Sequence, residues 1–179
     1  MRQADEPGAR LFIPVKPKAA GKVKRGHERV GRVAELRFAV GAVWAGSGRE
    51  GSGTLFLSGQ AVPYSAPDTM GGRGEGTSPE ELLLAAVASC YSGTLYRVVQ
   101  RAGLPIARVK LRTEGVVSDY PRAARFSAIT VHPTIVGGDV AKRDAYLEAA
   151  AAARNQCFIG RTVRDYLDYR VGAVDVQPA

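Results

Sequence analysis

Cysteine is scarce here, with two in 179 residues, so no disulfide scaffold is available to hold the fold. Histidine is equally rare, and Cys90, Cys157, His27 and His132 are the whole cysteine and histidine complement. Their spacing matches no common zinc site, and no metal is expected. The longest unbroken apolar run, Leu82 to Ala88, is far short of the roughly 20 residues that cross a bilayer, so no membrane span is expected. The first residues carry no apolar stretch of the signal-peptide kind. A reducing cytoplasm is therefore the expected location, where both thiols stay reduced and available for chemistry. There is no Walker loop, no GxSxG and no HExxH. Residues 46–51 formally spell GxGxxG, but the segment leads into a strand, without the helix N-terminus that would hold a pyrophosphate. No nucleotide or other cofactor is expected.

What is present is a globular chain. An apolar content of 45% and a length near that of one domain suffice for a sizeable core. The net charge of +8 is unevenly placed: residues 1–32 hold nine Lys and Arg against three acids, leaving only +2 for the remainder. Basicity is thus mostly a property of the first 32 residues. Such a run can give non-specific phosphate affinity, but its Pro, Gly and Lys content reads first as a solvated extension. Nucleic-acid binding is not the expected function. The chain divides into a basic, flexible extension over 1–32 and one domain over 33–179.

From about Val33 the pattern becomes regular. Leu36, Phe38, Val40, Ala42 and Trp44 repeat at period two and predict a half-buried strand; residues 46–51 turn the chain, and Thr54 to Leu57 predicts the returning strand. Residues 59–77, rich in Gly, Pro and Ser, read as an irregular connection. Ser78, Pro79 and Glu81 then spell a helix start: an N-cap, a proline at the first helical position and a capping box. This helix should run to about Arg101, with its first half apolar all round and therefore buried. Arg108 to Glu114 alternates strictly, and a further strand places Ile129, Val131 and Ile135 together. His132 shares parity with Thr130 and Thr134 and should face solvent. A second helix from about Val140 aligns Tyr146, Ala150, Ala153 and Cys157 on one stripe, and a last strand near residues 170–176 closes an α+β fold.

Cys90 and Cys157 each read, taken alone, as small core residues. Both nevertheless project from helices toward the same core, so the two thiols could meet and cycle between dithiol and disulfide if those helices pack together. Arg49 by default is a turn residue, and Glu80 a first-turn acid favoured by the helix dipole.

Residues 76–83, Gly-Thr-Ser-Pro-Glu-Glu-Leu-Leu, followed by Ala88-Ser89-Cys90-Tyr91-Ser92, resemble the central-helix signature of the OsmC/Ohr family, the osmotically inducible protein C and organic hydroperoxide resistance proteins. Val43-Trp44-Ala45-Gly46 with Arg49 and Gly53-Thr54 is similar to that family's first hairpin, and residues 152–157 resemble its second cysteine segment. The resemblance runs from about Val33 to Val176, and the length between the second strand and Ser78 is closer to the OsmC branch. It implies an antiparallel-rich sheet wrapped around a long buried central helix, as an intertwined homodimer. It implies a cysteine-based peroxidase acting on organic hydroperoxides, regenerated by a dithiol of the lipoyl type. Cys90 would be the peroxidatic residue and Cys157 the resolving one, with Arg49 and Glu80 tuning the reactive thiolate. Where the family often has proline after the second cysteine, this chain has Phe158. The competing expectation is a non-catalytic binding or redox-sensing member of the fold whose basic extension docks an acidic partner.

Overall fold

The computed structural model describes residues 35–179. The basic extension and His27 lie outside them. The described chain forms two compact units, one ending at Gly76 and the other spanning Thr77–Ala179.

The first unit is a three-stranded antiparallel sheet in the order β1 (Gly41–Ala45), β2 (Ser52–Leu57), β3 (Gln60–Ser65). The expected hairpin is there, closed by a short 3-10 turn over Gly48–Glu50, so the GxGxxG segment is a hairpin loop. Its tightness requires glycine: a Cβ on Gly46, whose φ is +93°, would stand 2.8 Å from the Cα of Gly51. Two expectations are corrected. Residues 60–65, read as irregular, form β3, because Ser58 and Gly59 adopt positive φ and fold the chain straight back on β2. The first strand begins at Gly41 rather than near Val33. The ladder ends at the Gly41–Phe56 pair, where β2 turns into β3, so residues 35–40 overhang the sheet. Leu36, Phe38 and Val40 are accordingly exposed rather than half-buried.

The second unit is built on α1 (Pro79–Arg101), whose start follows the expected chemistry: Ser78 Oγ accepts from the Glu81 N–H, and the Glu81 carboxylate accepts from the Ser78 N–H. Its stripe of Val87, Tyr91, Leu95 and Val99 is fully buried. The expectation that residues 82–88 are buried on every side is not met. Leu82, Leu83 and Leu84 are half-buried, and Ala85 and Ala86 are exposed, because the unit covers one face of the helix only. By length and composition α1 could also cross a membrane. The unbroken-run criterion missed this because Ser, Thr, Gly and Tyr interrupt the run. The buried stripe identifies α1 as a core helix.

Against α1 lies a four-stranded sheet of β4 (Arg108–Ser118), β5 (Arg125–Val136), β6 (Asp168–Val171) and β7 (Asp175–Gln177). β4 and β5 are antiparallel; β6 and β7 both run parallel to β5 along its other edge. Between β5 and β6 the chain crosses over through α2 (Arg143–Gln156) and α3 (Phe158–Val163), the connection that parallel pairing demands. Ile129, Val131 and Ile135 meet the core as expected, as do Tyr146, Ala150 and Ala153 of α2.

The single last strand expected near residues 170–176 is two strands, and Pro133 accounts for the break. The Ala107 N–H donates to Val136 O on the β4 side of β5, and the Gly172 N–H donates to Val131 O on the other. Backbone groups alternate along a strand, so residue 133 faces the β6/β7 edge. Proline has no N–H to offer there, and β6 stops opposite Val131 while β7 resumes opposite Thr134. His132, in the same gap, is half-buried rather than solvent-facing. Its Nδ1 accepts from the Ala173 N–H at 3.2 Å, and its Nε2 lies 3.0 Å from Glu114 Oε2. Gly172 makes room for the ring, since a Cβ there would come within 2.4 Å of His132 Cε1.

Candidate active site

The two helices that carry Cys90 and precede Cys157 pack directly on each other. Tyr91 is the joint: its ring is wholly buried on α1, and its hydroxyl donates 3.1 Å to the carbonyl of Ala150 on α2. Burial raises the pKa of that phenol, which therefore stays a donor.

This packing brings together two cysteines 67 positions apart. Both are free thiols, Cys90 half-buried and Cys157 wholly buried, and Cys90 is among the groups that act on the Cys157 thiol. Cys157 stands at the end of α2, as expected, and also caps the start of α3. Its N–H donates to Ala153 O at the end of α2, while its sulfur caps α3 by accepting the Gly160 N–H at 3.4 Å. The Cys157 thiol is pushed up to about 11, first by burial and then by the neighbouring Cys90 side chain, against the opposing pull of the Gly160 N–H. At neutral pH it is a protonated thiol. Phe158 holds the first position of α3, a position proline also favours.

Two residues that sequence reasoning passed over complete the surroundings. Tyr169 on β6 is fully buried in the same core cluster as the cysteines, with its ring against Gly160, where a Cβ would stand 2.4 Å from Tyr169 Cε1. Arg154 of α2 fixes it from above: its guanidinium lies 5.7 Å from the ring centroid and its Nε donates 2.7 Å to Tyr169 O. The available signal was parity, because Tyr169 and Val171 alternate with Asp168 and Arg170 as inward residues of a short strand.

Glu80 sits in the first turn of α1, ten residues before Cys90 and hence about 15 Å away along the helix at 1.5 Å per residue. It does not reach its own Cys90 along that helix. Its Oε2 is buried and has no hydrogen-bond partner among the described residues. Arg49 belongs to the first unit, in the hairpin turn, where its guanidinium lies over Gly71: a Cβ there would meet Arg49 Nη1 at 3.1 Å. Among the described residues no cluster of three or more His, Cys, Asp or Glu could hold a metal ion.

The family model described as OsmC-like protein matches residues 72–170, more than half of the chain. The chain belongs to the OsmC-like family. A protein of Bacillus subtilis (strain 168), YmaD, described as uncharacterized, is 30% identical over 144 residues, covering 79% of this chain and 95% of its own. The fold is shared with an organic hydroperoxide resistance protein OsmC, a predicted redox protein, of Legionella pneumophila, at TM-score 0.61 and 22% identity over 79% of this chain and 99% of that one. It is also shared with an OsmC-like protein of Mycoplasma pneumoniae, at TM-score 0.64 and 17% identity over 80% and 99%. Family membership points to a redox or hydroperoxide-resistance role, and the OsmC-like matches span both the helix of Cys90 and the segment of Cys157.

Proposed function

We propose that the protein is a cysteine-based peroxidase that reduces organic hydroperoxides to alcohols. The observation that carries this reading is the pair of free thiols, remote in sequence and brought to one apolar core, Cys90 half-buried and Cys157 wholly buried. The Cys90 thiolate attacks the terminal peroxide oxygen; the O–O bond breaks, the alkoxide takes a proton and leaves as the alcohol, and Cys90 becomes a sulfenic acid. Cys157 then attacks that sulfur, the S–O bond breaks, water leaves, and a Cys90–Cys157 disulfide forms. A small dithiol of the lipoyl type returns both thiols by exchange. Apolar surroundings favour alkyl or fatty hydroperoxides over hydrogen peroxide, which has no apolar surface to bury. One equivalent of cumene hydroperoxide added to reduced protein is expected to remove two hydrogens in mass and both free thiols. Thiols that remain reduced would overturn the reading.

Arg49 and Glu80 are proposed as the pair that activates Cys90, the guanidinium favouring the thiolate and the carboxylate holding the guanidinium by a bidentate pair. The buried, unpartnered oxygen of Glu80 supports a cationic partner for it. Its distance from its own Cys90 supports a shared site in a homodimer, where Glu80 serves the Cys90 of a second copy. The uncovered face of α1 at Ala85, Ala86 and Ser89 is a natural contact for that copy. Mixing Glu80→Ala with Cys90→Ser protein is expected to restore activity that neither has alone. No recovery, with subunit exchange verified by mass, would exclude the shared site.

A further inference from the structure

The resolving step has a proton to move and, in the thiol pocket, few groups to move it. Cys157 enters the step protonated, and the oxygen leaving Cys90 departs as hydroxide unless it receives a proton. The groups that bear on the pair are Tyr91, already committed to Ala150 O, the Gly160 N–H, already on Cys157 Sγ, and Tyr169; the guanidinium of Arg49, proposed above to act on Cys90, keeps its protons. Tyr169 differs from the others. Its hydroxyl is buried yet has no hydrogen-bond partner among the described residues, which is costly for a phenol in a dry core. Gly160 lets the ring approach the turn that holds Cys157, and Arg154 holds it there. Burial, and after it the charge of either sulfur, opposes ionisation of the phenol.

We propose that Tyr169 relays the proton of the resolving step, through a hydroxyl kept unpartnered so that it can meet the sulfenic oxygen on Cys90. The inference rests on the peroxidase reading above. As Cys157 sulfur attacks Cys90 sulfur, the S–S bond forms and the S–O bond breaks. The phenol gives its proton to the departing oxygen, which leaves as water, and takes up the proton that Cys157 loses. Net, one thiol and one sulfenic acid become a disulfide and water, and the phenol is unchanged. Burial opposes a lasting phenolate, so the phenol recovers its proton from Cys157 as the disulfide closes.

The test is Tyr169→Phe, which keeps the ring on Gly160 and beneath Arg154 and removes only the hydroxyl. Sulfenic acid should form on Cys90 at the unmodified rate with cumene hydroperoxide. Its conversion to the disulfide should slow by about a hundredfold, the usual scale for loss of a proton-transfer group. The slowed rate should climb about tenfold per pH unit as Cys157 ionises toward 11, whereas the unmodified protein should show a flatter profile. A second measurement separates relay from packing. Cys90 is loaded with thionitrobenzoate as a mixed disulfide, and release of the coloured thiolate by Cys157 is followed. That leaving group needs no proton, so Tyr169→Phe should match the unmodified protein. Equal slowing of both reactions would make Tyr169 a packing residue, and an unchanged rate and pH profile for the sulfenic acid would leave it no role; either result overturns the relay. If cumene hydroperoxide leaves Cys90 unoxidised, the peroxidase reading fails separately, and the sulfenic acid is made with excess hydrogen peroxide for the same comparison.

Discussion

Replacing Cys90 with serine is expected to lower dithiol-dependent consumption of cumene hydroperoxide by at least about a thousandfold, the scale seen when a catalytic nucleophile is removed. A serine hydroxyl has no thiolate state and no sulfenic acid to pass to Cys157. Cys157→Ser should behave differently: one stoichiometric turnover survives, and a sulfenic acid persists on Cys90 because nothing condenses with it. The asymmetry follows from access. Cys90 is half-buried and Cys157 wholly buried, so Cys90 is the one an external peroxide meets first. Initial rates under saturating dithiol, with trapping of the sulfenic acid by dimedone, distinguish the two. Residual turnover within tenfold of the unmodified protein in Cys90→Ser would move the chemistry elsewhere.

The second large effect is structural. Tyr91→Ala removes a fully buried ring at the contact of α1 with α2, together with its hydrogen bond to Ala150 O. Urea unfolding should show a loss of about 4 kcal/mol, as for large-to-small changes at rigid core sites. Tyr91→Phe, which loses the hydrogen bond but keeps the ring, should lose only about 1 kcal/mol. Disulfide closure should slow in the alanine variant even where it remains folded, because the helix that positions Cys157 is no longer registered against the helix of Cys90. A loss below about 1 kcal/mol in Tyr91→Ala would show that the two helices are held by other contacts.

Much of this arrangement was legible in the sequence, wherever local chemistry decides. The Ser78–Glu81 capping box placed the start of α1, strict alternation placed β4, and the stripe of Tyr146, Ala150 and Ala153 placed the inner face of α2. The family signature around Cys90 was specific enough to lead to the right fold. What escaped depends on partners remote in sequence or on backbone geometry. The strand of residues 60–65 follows Gly59 and contains Pro63, both of which read as loop, and becomes a strand by pairing with β2. Leu36, Phe38 and Val40 alternate like a buried strand, yet they overhang the end of the sheet. Cys157 ends α2 as its stripe position indicates, but periodicity alone does not show that it also caps α3. Tyr169 is separated from Cys90 by 79 positions, and only the crossover through α2 and α3 brings its ring to the thiol pocket.

The gap that Pro133 opens between β6 and β7 has a consequence for local opening. The two strands hold β5 by separate sets of amides, with no continuous ladder linking them. β7 contributes three residues, whereas β6 carries Tyr169 and is tied to α2 through Arg154. Amide hydrogens of residues 175–177 can therefore exchange with solvent through a small fluctuation that leaves residues 168–171 protected. The margin of the sheet is free to fray, and the thiol pocket does not feel it.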